Sequence, residues 1–581
     1  MKMFVKKMLL LFGICLFYSQ CLFAQGFLKA DGKKIVDGAG REIILRGMGL
    51  GGWMLQEGYM FHLAFLGQQY HIREKITQSV GEEKAKVFYD QWLRQHTTKK
   101  DIDALATMGF NSIRLPMHYG LYTLPVDKEP VAGQQTWLDK GFTLTDSLLG
   151  WCRENKIYLI LDLHAAPGGQ GHDLPISDRN PDKPSLWESE ANRQKTIALW
   201  KKLAKRYADE PWIGGYDIIN EPNWGFDNSD DIRGTSEKRN VPLRKLMQDI
   251  TTAIREVDKN HLIIIEGNGF GNNYNGILPT WDKNMALSFH KYGNFNDQRS
   301  IQNFLNLRDK YNVPLWLGES GENFNTWFTE AIGLVEKNGI GWAWWQHKKM
   351  GINNPFEVKE PLEYRKLLAD WSGRGEKVDT TEAWDILQDL LHNISFEQNV
   401  YHPDVADAMF RQVSSPTVIP FKPLSISNGT TNVRAIDYDL GAQRIAYYDK
   451  DSARYQFTPG VNTDGNKGHT YRNDGVDIYN NDGDIFVSSI EAGEWLQYTL
   501  DIKKTGRYSF AFTTRTKGDG GEIRIFGNEK PLLDGIAIPS NATMWSDIKT
   551  KKIRLKKGKL RFKVYMQEGG FDFLSFKITK H

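Results

Sequence analysis

Cysteine is nearly absent from this chain: of 581 residues only 3 are Cys, and Cys15 and Cys21 both fall within the first 24 positions. Without those positions Cys152 stands alone, so no intramolecular disulfide supports the fold and packing must hold it. An excess of either charge is also missing. Lys and Arg total 74 against 71 Asp and Glu, a net charge of +3, which gives no footprint for a nucleic-acid partner. Past the N-terminus no stretch is apolar enough to cross a membrane. There is no His/Cys cluster with zinc spacing, no serine nucleophile elbow, and no glycine-rich phosphate loop after the first strand-like run. Low-complexity tracts and solenoid repeats are absent too.

What is present divides into segments. Lys2, Lys6 and Lys7 precede an apolar run at 8–17, and Leu22-Phe-Ala24 ends in a small residue. Residues 1–24 therefore read as a secretory signal, which implies a secreted, periplasmic or cell-surface product. Lipid attachment at Cys21 is disfavoured by the preceding Tyr-Ser-Gln, and release versus tethering stays open. The rest is 40% hydrophobic and 25% charged over the whole chain, and its length suits one large domain plus a smaller one. The 18 Trp and 23 Tyr supply flat rings that fill cores and equally suit the apolar faces of sugars.

Between residues 25 and 395, apolar runs of strand length alternate with helical patterns. The runs fall at 43–51, 111–117, 157–164, 216–221, 262–266, 286–292, 314–319 and 341–346. Alternation of this kind predicts an α/β fold with a parallel sheet, and eight runs predict a closed (β/α)₈ TIM barrel. An open doubly wound sheet is the alternative, but it lacks its phosphate loop here. Over 396–430 periodicity fades and Pro403, Pro416 and Pro420 punctuate a linker or interdomain strap. Residues 431–581 then carry short alternating segments separated by turns rich in Gly, Asn and Asp, the pattern of an all-β sandwich of jelly-roll type.

Polar residues gather where the barrel runs end. Tyr216-Asp-Ile-Ile-Asn-Glu-Pro222 stops at a proline, which cannot donate to a ladder, and so leaves Glu221 at a rim. Leu315-Trp-Leu-Gly-Glu319 ends likewise in a carboxylate. A solvated strand end is the bland reading of either one alone. Strands four and seven face each other across a barrel mouth, however, and two facing carboxyls are what glycosidic hydrolysis requires. Glu322 is placed at the rim, Asp162 as a buried structural partner, and Glu266 as a possible liner of the cleft.

The ordered set Arg114 in Asn-Ser-Ile-Arg-Leu-Pro, His164 in Leu-Asp-Leu-His, Asn220-Glu221-Pro222, His290 and Tyr292 in Ser-Phe-His-Lys-Tyr, Glu319, and Trp345 in Ala-Trp-Trp-Gln resembles glycoside hydrolase family 5, the cellulase-type retaining β-glycosidases, over residues 27–395. That resemblance implies Glu221 as acid/base and Glu319 as nucleophile, with Arg114 and Tyr292 holding Glu319 charged. It further implies Asn220 on the sugar 2-hydroxyl, His290 on Glu221, Trp345 beneath the sugar, His164 near substrate, and no cofactor for catalysis. Leu50-Gly-Gly-Trp53 is shared with exo-β-1,3-glucanases and, loosely, with endo-β-1,4-glucanases. Trp53, Trp224, His118 and the loop at 165–187 are the expected subsite formers. β-Glucan is the expected substrate, mannan and xyloglucan stay open, and a non-catalytic glycan-binding barrel is the rival class.

The tail at 431–580 resembles carbohydrate-binding module family 6, through Ala435-Ile-Asp-Tyr-Asp439, the segments 471–478 and 491–498, and Gly569-Gly-Phe-Asp-Phe573. Trp545 takes the position of the sugar-clamping Trp, while Ser489 and Asp572 stand where a Tyr and an Asn are expected. The resemblance implies a structural calcium with Asp437 and Asp572 among its ligands. The partner expected overall is a polysaccharide or oligosaccharide, bound by a monomer.

Overall fold

The protein was analysed as a computed structural model that describes residues 26–228 and 230–581. The expected signal segment lies outside the described residues. Eight parallel strands close a barrel: β1 (Arg46–Gly49), β2 (Ser112–His118), β3 (Tyr158–Ala165), β4 (Ile213–Asp217), β5 (Ile263–Glu266), β6 (Met285–Lys291), β7 (Leu315–Gly321) and β8 (Gly341–Trp345), with β8 pairing back to β1. A parallel sheet is covered on both faces, so its strands need apolar residues throughout. β3 meets that demand, with all of Tyr158–Ala165 buried, and even Asp162 and His164 are drawn inside. The bottom is closed by a hairpin of Lys29–Asp31 and Lys34–Val36.

Helices between the strands begin where local chemistry satisfies their free N–H groups. Ser189 accepts from the Asn192 N–H ahead of Glu190–Tyr207, and Asp379 accepts from Thr381 and Glu382 ahead of Thr380–Ile394. Two helices, Gln69–Val80 and Tyr364–Trp371, were not expected from the pattern. With Glu82–Gln95 and Thr380–Ile394 they build an apolar cluster beside the barrel that holds Ile72, Phe88, Trp92 and Leu387 together with Trp345.

One expectation needs correcting. The fourth strand ends at Asp217, so Asn220 and Glu221 sit in the loop beyond it. Of the two readings of residues 396–430, a linker or an interdomain strap, the packing is that of a strap. Val400–Tyr401 pairs with Phe356–Glu357, and the helix Pro403–Met409 sinks Val405 and Met409 into the barrel's own apolar core. Pro403 occupies the first turn of that helix, where its missing N–H costs nothing.

The C-terminal region is a β-sandwich. One sheet runs in the order Leu424–Ile426, Trp495–Ile502, Gly558–Glu568, Gly521–Gly527, Lys530–Ile538, and the other in the order Ile478–Asn481, Asp484–Val487, Asp572–Lys580, Gly506–Arg515, Ser546–Lys549. Gly506–Arg515 alternates buried with less buried residues along its length, and Phe510, Phe512, Phe562, Phe573 and Phe576 fill the core between the sheets. No helix among the described residues is long and apolar enough to cross a membrane.

Candidate active site

The barrel mouth brings Glu221 and Glu319 together. Glu319 lies within β7, all of whose residues are buried; its Oε1 accepts from the Tyr292 hydroxyl at 2.7 Å and its Oε2 from Arg114 Nη1 at 2.7 Å. Glu221 follows β4 with φ of +42°, a left-handed conformation that costs a residue bearing a β-carbon about 1–2 kcal/mol. The turn is held because the Glu221 N–H donates to Glu266 Oε2 at 2.7 Å. Strain of this kind persists where surrounding structure over-determines it, and here it aims a carboxyl into the mouth. His290 Nδ1 stands 2.7 Å from Glu221 Oε1. An oxygen of Glu221, an oxygen of Glu319 and a ring nitrogen of His290 all lie within 4.8 Å of one another.

Arg114 is the hub beneath this pair. Its buried guanidinium reaches Glu319, Asn220 Oδ1 at 2.7 Å, Asp217 at 3.0 Å, Asp162 at 3.2 Å and Glu266 at 3.2 Å. One cation cannot keep four buried carboxyls ionised, so their proton affinities separate. Asp217 is pushed far up by burial and by the neighbouring Glu266. Burial also opposes ionisation of Glu266 and Glu319, but the positive charges of His290 and Arg114 outweigh it and lower both. Glu221 goes the other way. Its burial raises it, the His290 hydrogen bond pulls it part of the way back, and the Glu319 charge raises it again. His290 is held well above the usual range, because Glu266, Glu319 and the Glu221 hydrogen bond overcome its burial.

Two carboxyls with opposed shifts predict a bell-shaped pH dependence of kcat/KM, whose acid limb is protonation of Glu319 and whose alkaline limb is ionisation of Glu221. His290 lowers both groups. Its replacement in His290→Gln therefore moves both limbs to higher pH, which a kcat/KM profile against pH reads directly. Limbs that stay in place mean that His290 does not tune the pair.

The other expected residues are placed unevenly. Asn220 Nδ2 is 3.3 Å from His164 Nε2, and His164 Nδ1 is 2.7 Å from Asp162. The His164 ring stacks on Trp345 with centroids 5.1 Å apart and planes 4° from parallel. Trp345 Nε1 donates to the Tyr59 hydroxyl at 2.8 Å. Trp53, expected at a subsite, is 1% exposed in the apolar core and donates to the Leu93 carbonyl at 2.8 Å. The tight Gly51-Gly52 turn after β1 directs it inward, so its ring is buried away from the open mouth. Trp224 is half-buried, with one neighbour stacked 4.0 Å away (His172) and the Arg179 guanidinium 5.0 Å from its ring. His118 bonds Asp178 at 3.1 Å and lines a cavity of about 480 Å³ together with Ala166, Gly168 and Gly169 of the long loop after β3.

In the sandwich, Trp545 donates to Asp484 at 2.9 Å and carries the Arg515 guanidinium 4.2 Å over its ring. Asp437 is 3.0 Å from Lys422, and Asp572 is 2.7 Å from Arg515. Each is thus neutralised by its own cation, and neither joins a grouping of three candidate metal ligands among the described residues. Glu221, His290 and Glu319 do form such a grouping, and it coincides with the candidate catalytic pair and its histidine.

Sequence reasoning missed Glu57, Tyr59 and Asp217. Glu57 lies in the loop after β1, 3.8 Å from His164, and its carboxyl is pushed well up by burial and by Glu319 and Glu221. No periodicity marks such a loop. Asp217 was legible only as one polar residue inside an apolar run.

Comparison with known proteins bears on this geometry. Residues 74–351 match the cellulase family, glycosyl hydrolase family 5. The matched segment runs from the helix Gln69–Val80 past β8 and so contains all eight expected polar positions. A beta-xylosidase of Phanerodontia chrysosporium is 28% identical over 394 residues, which span 62% of this chain and 78% of that protein. Endoglucanase C of Acetivibrio thermocellus is 24% identical over 338 residues, 48% of this chain and 91% of that one. A probable glucan 1,3-beta-glucosidase A of Aspergillus niger is 29% identical over 183 residues, 31% of this chain and 41% of that one. The family 5 match and these relatives support an O-glycosyl hydrolase.

Proposed function

We propose that the protein is a secreted, monomeric, retaining β-glycosidase that hydrolyses a β-glucan by double displacement. The observation that carries the proposal is the pairing of Glu221 and Glu319, with carboxylate oxygens within 4.8 Å and proton affinities shifted in opposite directions. Retaining enzymes hold their carboxyls about 5–5.5 Å apart, whereas inverting ones need about 6.5–9.5 Å to admit a water. In the first step Glu319 attacks the anomeric carbon while Glu221 gives its proton to the departing oxygen. In the second, Glu221 takes a proton from water, whose oxygen displaces Glu319. Arg114 and Tyr292 keep the nucleophile ionised and aimed. Asn220 bonds the sugar 2-hydroxyl, His164 and Trp345 form the wall and floor around that sugar, and Trp224 serves the leaving-group side.

β-Glucan is favoured because two of the three relatives carry glucan-directed names, an endoglucanase and a probable glucan 1,3-β-glucosidase. A β-xyloside is the second reading, favoured by the beta-xylosidase aligned over 394 residues. The sandwich is proposed to bind the same polymer through Trp545, in the manner of the family 6 modules it resembles. Purified protein is to be incubated with laminarin, cellulose-type glucan, mannan, xyloglucan and xylan. Sugar release confined to the glucans is the expected result. Release only from xylan or mannan reassigns the substrate, and no release from any polymer overturns the enzyme reading.

A further inference from the structure

The sandwich does more than follow the barrel along the chain, since its 449–475 segment docks onto the loops of the catalytic mouth. Asn323, four residues after Glu319, donates to the Arg454 carbonyl at 2.7 Å and accepts from the Arg454 N–H at 3.0 Å. Asn473 Nδ2 donates to the Asn323 carbonyl at 3.0 Å, and its own carbonyl accepts from the Asn325 N–H at 2.8 Å. Asn325 Nδ2 also donates to Asp404 at 2.9 Å and to Asp474 at 3.0 Å, and all five of these Asn and Asp residues are buried. On the other side, the Phe457 N–H donates to the Gly293 carbonyl at 2.9 Å, directly after Tyr292, which bonds the nucleophile. A buried polar network with hydrogen bonds crossing from one domain to the other fixes register, which a flexibly tethered module does not have.

Between the docked segment and the barrel lies a cavity of about 230 Å³. Tyr59, Glu322 and Lys349 line it from the barrel, and Arg454 and His469 from the sandwich. Tyr59 accepts the hydrogen bond of Trp345, so the cavity and the catalytic floor share a wall. His469 stacks with Phe324 at 6.0 Å and 24°, which gives a flat apolar face. The charges lining the cavity are already paired, Glu322 with Lys349 and Arg454 with Asp464 through its Nε at 3.1 Å and Nη2 at 2.8 Å. A flat face beside polar groups of balanced charge suits a neutral polyhydroxylated ring and offers no surplus cation to a uronic acid.

We propose that the sandwich completes the substrate cleft, with Arg454 and His469 binding a neutral sugar unit of the glycan next to the one held over Trp345. The inference rests on the glycosidase reading above and assigns the second domain a part in it. The contacts that dock the segment at Arg454 are made by its backbone, so Arg454→Ala removes the side chain and keeps the anchor.

The test uses the full chain and compares Arg454→Ala, His469→Ala and the wild type on an aryl monoglycoside and on oligosaccharides of two to six units of the polymer that the wild type cleaves. The ratio of kcat/KM on the longer oligosaccharides to that on the aryl glycoside is expected to fall about tenfold in each variant, the scale of one or two hydrogen bonds or a stacking contact. The fall should appear at one step of the length series. Ratios equal to the wild type's at every length overturn the proposed subsite and leave the glycosidase reading standing. A wild type that cleaves no glycan overturns both.

Discussion

Glu319→Gln is expected to lose about 10⁴–10⁶-fold in kcat, the scale at which removing a covalent nucleophile acts, and to lose it on every substrate. That corresponds to about 5–8 kcal/mol of barrier at 1.36 kcal/mol per decade. The amide that replaces it keeps one oxygen, which can accept from Arg114, while its NH2 can donate to the Tyr292 hydroxyl oxygen, so the fold should be retained while the attack is lost. Glu221→Gln is the informative contrast. It loses about 10²–10⁴-fold on polysaccharide, where the departing sugar oxygen needs a proton. On an aryl glycoside with an acidic phenol the leaving group needs no proton, so the first displacement recovers and a burst of phenol precedes slow turnover. Steady-state and burst kinetics of both variants on both substrates separate the roles. Rescue of Glu319→Gln by the activated substrate would reverse the assignment.

Arg114→Met is expected to cost about 3–5 kcal/mol of stability, because it strands buried carboxyls without their shared cation. Similar volume does not compensate, since Asp162, Asp217, Glu266 and Glu319 all remain. Arg114→Lys should fall between, for an ammonium cannot reproduce the fork that reaches Glu319 through Nη1 while Nη2 serves Asn220. The sign with pH follows from the directions of the shifts. Glu266 and Glu319 have depressed folded-state affinities, so the stability they contribute is present above their unfolded values and is lost as pH falls through the folded ones. The deficit of Arg114→Met is therefore greatest near neutral pH and shrinks on acidification, as the carboxyls take up protons and no longer need the cation. Urea unfolding at pH 7 and at a pH below the ordinary glutamate value of about 4.3 measures it, and a deficit equal at both values contradicts the hub.

Most of the barrel was legible because a parallel strand buried on both faces must be written as an apolar run. Tyr158–Ala165 and Ile263–Glu266 carry that signal with little else around them. The catalytic constellation was legible for a related reason, since polar residues inside or just after such runs are anomalies that a core would not choose. What failed did so for identifiable causes. Trp53 follows a strand as a cleft residue does, yet two glycines turn it inward, and its direction depends on a turn that residue types alone do not set. The strap at 396–430 hid its helices because seven residues at Pro403–Met409 are too few for a 3.6-residue period to emerge. Arg454 and His469 could not be read at all as cleft residues, because they lie more than 130 positions from the Asn323 and Phe324 loop that they meet.

The central claim is that Glu319 forms a covalent bond to the sugar, and this fixes the stereochemistry of the product. Proton NMR recorded during the first minutes of hydrolysis, before mutarotation, reads the anomer directly. The close carboxyl pair predicts that the β-anomer appears first and the α-anomer grows in only with mutarotation; an α-anomer appearing first would show that water attacks directly and would contradict the double displacement.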